Sequence, residues 1–109
     1  MKLLAPRDAA RAAVSARPDR PATALIHDSP DARVVVFRLD DGQQVPPHTS
    51  RSTVLLTVIA GRGTFSGADG EQRLQPGDAV AYAPEEPHGF RADGGELVVM
   101  ATIAPRPGG

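Results

Sequence analysis

Val34-Val35-Val36-Phe37-Arg38-Leu39 runs into Asp40-Asp41-Gly42, then a polar approach from Gln43 to Pro47, then His48-Thr49-Ser50. Three residues later comes Val54-Leu55-Leu56-Thr57-Val58-Ile59-Ala60, closed by Gly61. Both apolar runs are rich in β-branched side chains, which favour a pleated strand over a helix. Asp41-Gly42 between them is a strong turn signal. The same grammar continues C-terminally. Gly63 to Ser66 reads as a short strand, Gly67 to Gly70 as a hairpin turn, and Glu71 to Leu74 as the return strand. Gln75-Pro76-Gly77-Asp78 is a turn, Ala79 to Ala83 a strand, and Pro84 to Pro87 a loop. His88 to Ala92 and Glu96 to Ala104 are the last two strands, with Asp93-Gly94-Gly95 turning between them. About eight short, regularly spaced strands predict an all-β sandwich or barrel.

Upstream of Arg33 the text is different. Residues 1–24 read as an N-terminal arm, with a short helix expected between Arg7 and Ala16 because Ala and Arg are strong helix formers. A helix of about ten residues is marginal alone and must dock on something. His27 falls in the turn-rich Leu25-Ile26-His27-Asp28-Ser29-Pro30, where a surface position is expected. The barrel is expected over residues 25–105 and a flexible tail over 106–109.

The whole chain is 109 residues, enough for one domain. Its 12 basic and 13 acidic residues nearly cancel, so charge-driven disorder is excluded. A dedicated nucleic-acid binder would carry a basic surplus, and four aromatics (Phe37, Phe65, Tyr82, Phe90) make a poor base-stacking surface. With no cysteine, disulfides, thiolate zinc sites, iron–sulfur clusters and thiol nucleophiles are excluded. No run reaches the roughly 18 apolar residues of a membrane span. The N-terminus is interrupted by Pro6, Arg7, Asp8 and Arg11 and does not read as a secretory signal. A cytoplasmic protein that binds neither nucleic acid nor membrane is the expectation.

Two stretches carry a family resemblance. Gly42, five residues, His48-Thr49-Ser50, three residues, Val54, six residues, Gly61 resembles the first cupin motif, with Gly, the first His and the last Gly in register. Ser50 stands where that motif has a second His, and Val54 where it has a Glu. Gly77 to His88 resembles the second motif, with Gly77 and His88 in register, the Pro displaced to Pro84, Glu85 at the Gly position and Ala92 at the Asn position. The likeness spans about residues 33–104. It implies a double-stranded β-helix, or jelly-roll barrel, of the small single-domain kind, often homodimeric through sheet edges and strand exchange.

The resemblance also implies a site inside the barrel. Metal-holding cupins use three His and one Glu, of which this chain keeps His48 and His88. An incomplete ligand set for a divalent transition metal (nickel, zinc, iron or manganese) is therefore expected, since such metals generally need three or more protein ligands. Ser50 shares the face of His48 by the two-residue period of a strand, and Phe90 shares that of His88. With Val54 and Tyr82 these make the expected ligand pocket: His48, Ser50, Val54, Tyr82, His88 and Phe90. Glu85 and Glu86 decorate the loop beside it, and Arg38 and Arg51 are candidates to reach its rim. A largely apolar pocket with a few polar groups suits a small, mostly apolar organic molecule. The competing readings are a metal-dependent oxygenase or isomerase using His48 and His88, and an oligomerising interaction module.

Overall fold

A computed structural model of the chain describes residues 1–107; the end of the tail expected over 106–109 lies outside the described residues. One helix, α1 (Pro6–Ala12), precedes nine strands: β1 (Ala22–Asp28), β2 (Arg33–Leu39), β3 (Gln44–His48), β4 (Thr53–Ala60), β5 (Gly63–Gly67), β6 (Gly70–Leu74), β7 (Ala79–Tyr82), β8 (His88–Ala92) and β9 (Leu97–Ala104). They form two antiparallel sheets, ordered β1-β2-β9-β4-β7 and β3-β8-β5-β6. The architecture is the double-stranded β-helix, all-β but for α1.

Alternation along the strands builds the core. On β4, Val54, Leu56 and Val58 are buried while Thr53 and Leu55 face out. Their inward faces meet those of the second sheet around Leu39, Phe65, Leu97 and Val99, all essentially inaccessible. Phe90 sits at the centre of the aromatic packing. It stacks on Phe65 at 5.3 Å and takes Phe37 edge-on at 5.5 Å, the two arrangements that the ring quadrupole favours. At Gly61 the backbone turns with φ of +78°, and an added Cβ would lie 1.9 Å from the Glu96 carbonyl oxygen. Only glycine fits there.

A second apolar cluster lies outside the barrel. Ala10 of α1 packs on Val36 and Val98, with Ile26, Ile59 and Met100 around them. Arg38, from β2, donates to the carbonyls of Ala10 (2.6 Å) and Ala13 (3.0 Å), and Arg7 donates to that of Ile59 (3.1 Å). Arg38 thereby satisfies the orphan carbonyls of the helix C-terminus and complements its dipole. It clamps the helix and does not reach the pocket rim, contrary to expectation.

Two local expectations are corrected. The helix stops at Ala12 rather than Ala16: Ala13 is extended (ψ 140°), and Val14 is 84% exposed, so a further turn would bury nothing. His27 is in a strand, not a turn. β1 begins at Ala22, inside the stretch read as arm, and pairs with β2 across a bulge between Leu25 and His27. Its sequence lacks a β-branched run; the free edge of β2 supplies the pairing. No helix among the described residues is long and apolar enough to cross a membrane.

Candidate functional site

The site forms where β3 ends and β8 begins. β3 is an edge strand, and Pro46 and Pro47, which have no N–H to donate, are tolerated there through a bulge between Val45 and His48. The bulge brings His48 into register with His88. Gly89 permits the close approach: a Cβ there would lie 2.8 Å from the Pro47 nitrogen. The two imidazoles are 4.3 Å apart between ring centroids, tilted by 58°.

Each ring is oriented by the chain two residues before it. His48 Nδ1 lies 3.0 Å from the Pro46 carbonyl oxygen, and His88 Nδ1 lies 3.0 Å from that of Glu86. A carbonyl only accepts, so Nδ1 carries the proton in each neutral ring and Nε2 is left with its lone pair. His88 is buried, and burial pushes its pKa below the ordinary value; the neighbouring His48 acts in the same direction, while the Glu86 carbonyl opposes it. His48 is exposed at the mouth.

The histidines open on a cavity of about 210 Å³. Five of the six residues expected in the pocket line it: His48, Ser50, Val54, His88 and Phe90. Tyr82 does not. It pairs with Val54 across β4 and β7 and supports the His88 ring from behind, 5.0 Å away. Burial, with Glu86 and Asp69 nearby, pushes its hydroxyl up to about 12. The sequence reading missed Phe37, Leu56, Ala101, Ile103 and Pro107, which complete the lining. Leu56 was signalled by its shared face with Val54. Ala101 and Ile103 face the cavity because β9 lies between β2 and β4, which only the sheet order reveals.

Among the described residues, no charged side chain lines this cavity. Arg51 and His27 do not reach it. Glu86 is turned to the backbone, its carboxylate accepting from the Ala83 and Ala68 amides at 3.1 and 3.2 Å. The amide of Glu85, held at φ of +69°, donates to the Ser50 carbonyl at 2.7 Å. That bond ties the 83–87 loop to the rim. Ser50 Oγ accepts from the Ser52 amide (3.1 Å) and bonds neither imidazole, so no base stands ready to make it a nucleophile.

The donor set does not fit a resident transition metal. The two imidazoles that line the cavity offer at most two Nε2 donors, Val54 cannot ligate, and Ser50 is a neutral hydroxyl. Among the described residues no group of three or more His, Cys, Asp or Glu side chains could hold a metal ion.

The cupin domain family model matches residues 35–104 of this chain, nearly all of the barrel. A search of curated proteins finds no match. Among solved structures, an RmlC-like cupin protein from Desulfovibrio desulfuricans is 30% identical, with a TM-score of 0.76 over 86% of this chain and 91% of its own. A protein from Thermus thermophilus superimposes with a TM-score of 0.86 over 98% of this chain and all of its own, at 21% identity. KdgF from a Halomonas species gives 0.79 over 86% and 87%, at 23% identity. The last two likenesses concern the fold alone.

Proposed function

The chain belongs to the cupin domain family, and from that premise we propose that it binds a small, mostly apolar molecule inside its barrel, over the His48–His88 pair. The observation that carries this reading is the cavity itself: apolar walls, no charged side chain among the described residues, and two imidazole lone pairs beside the Ser50 hydroxyl. Such a lining favours a ligand with an apolar or aromatic body and one hydrogen-bond donor. The donor meets an Nε2 atom, and the body meets Phe90, Phe37 and Val54. A charged ligand would be desolvated there with nothing to pair it. The proposal includes a cytoplasmic homodimer without nucleic-acid or membrane partners; the near-zero net charge supports the nucleic-acid part.

Phenol has this chemistry and fits the volume. In an amide-resolved NMR titration it is expected to shift the signals of Ser50, Val54, His88 and Ala101 saturably, and His48→Ala with His88→Ala is expected to weaken it. Shifts that never saturate, or that spread evenly over the surface, would sink the proposal.

A second reading, a metal-dependent oxygenase or isomerase acting on a small metabolite, rests on the two imidazoles lining one cavity and requires that substrate or solvent supply the remaining metal ligands. Elemental analysis of the tag-free protein and of the double variant separates the two. Near-stoichiometric nickel, zinc, iron or manganese that disappears in the folded variant selects the enzyme.

A further inference from the structure

A larger cavity, about 500 Å³, lies at the other end of the barrel. The histidine site is built where β8 starts and β9 ends; this one is built where β8 ends, β6 ends and β5 starts. Its walls are the turns joining β4 to β5, β6 to β7, and β8 to β9. Gly63 and Leu74 form the floor, and Arg62, Arg73, Gln75, Asp78 and Asp93 stand around it.

The wall carries two arginines and two aspartates, and they are unequally engaged. Asp93 is already engaged by Arg91 Nε (3.3 Å) and the Thr64 hydroxyl, and Asp78 accepts from the Gln75 amide (3.0 Å). Arg62 and Arg73 line the same cavity, and neither guanidinium has an ion pair or a hydrogen bond to any side chain or carbonyl among the described residues. By contrast Arg91, on the adjacent strand, meets both Glu71 and Asp93.

We propose that this cavity, between Arg62 and Arg73, is a second binding site that takes a small organic anion bearing carboxylate or phosphate oxygens. A guanidinium presents a planar fork of donors that such an oxyanion accepts in a bidentate manner. Two forks on one cavity suit a ligand with two anionic ends, or one anion with polar groups that Gln75 and the turn amides can meet. The volume falls within the range of about 300–1,000 Å³ usual for small organic ligands and exceeds the needs of a bare inorganic ion. The site shares no residue with the histidine cavity, so the histidine variants serve as its control.

The test uses the full chain, with inorganic phosphate and succinate as separate probes in amide-resolved NMR titrations and sodium chloride matched for ionic strength. Saturable shifts are expected at Gly63, Gln75 and Gly94. They are expected to weaken at least about tenfold in Arg62→Gln with Arg73→Gln, as loss of charge-assisted bonds requires. Both side chains are exposed, so an unchanged melting temperature checks that the variant folds. Saturation by phosphate alone assigns a phosphorylated ligand, and by succinate alone a carboxylated one. The His48→Ala, His88→Ala protein is expected to bind these probes as the parent does. The proposal is overturned if sodium chloride reproduces the shifts, if neither probe saturates, or if the arginine variant binds unchanged.

Discussion

His48 and His88 are cross-strand partners with ring centroids 4.3 Å apart, and each Nδ1 is held by the carbonyl two residues earlier in its own chain. The arrangement places both imidazoles on one largely apolar cavity. It also sets a pH dependence. Burial lowers the pKa of His88 in the folded protein below the ordinary value of 6.5. The unfolded chain therefore takes up a proton first as pH falls, so stability declines through the interval from about 6.5 down to the folded pKa. Chemical denaturation at a series of pH values is expected to show that slope, and His88→Gln to flatten it.

Tyr82 titrates in the opposite sense. It is the chain's one tyrosine and there is no tryptophan, so phenolate absorbance reports it alone. Its folded pKa is about 12 against 10.0 for a free side chain. The unfolded chain loses the proton first, so stability falls as pH rises between those values. An ordinary titration near 10 in the folded protein would contradict this placement of the ring.

Glu85 holds a left-handed backbone (φ +69°) at the position where the second cupin motif has glycine. A residue with a Cβ bears a steric cost there that glycine does not. Glu85→Gly is expected to stabilise the fold by about 1 kcal/mol, read from the denaturation midpoint. The hydrogen bond from its backbone N–H to the Ser50 carbonyl is kept, so phenol binding is expected to persist.

Gly61→Ala is the converse case. Positive φ and the Glu96 carbonyl both oppose a Cβ, and neither can yield without moving the start of β9. A loss of at least about 3 kcal/mol is expected in equilibrium unfolding. Phe65→Ala, which removes the fully buried ring stacked on Phe90, is expected to cost about 3–5 kcal/mol.

Val54→Glu tests the missing ligand directly. Residue 54 lines the cavity with both histidines, and a carboxylate there would bring the donors to three. Calorimetry with nickel or zinc is expected to show binding at least about tenfold tighter than in the parent. Unchanged affinity would mean that a carboxylate at residue 54 and the two imidazoles cannot share one ion.

Most of the barrel was written locally. The alternation of Val54, Leu56 and Val58 with outward neighbours, the Asp-Gly and Pro-Gly turns, and the family motifs around His48 and His88 needed no knowledge of distant partners. A strand's period and a turn's glycine act over a few residues, so the sequence alone determined the all-β class, most strand positions and the depleted ligand set. Tertiary structure decided what depends on which strands lie side by side. β1 exists because β2 has an edge to pair. Ala101 and Ile103 line the cavity because β9 is inserted between β2 and β4, and Arg38 caps a helix 25 residues or more away. Tyr82 lies behind His88 rather than beside the cavity, and two prolines on an edge strand bulge so that His48 meets His88. Long-range register sets these relationships, and no local periodicity encodes it.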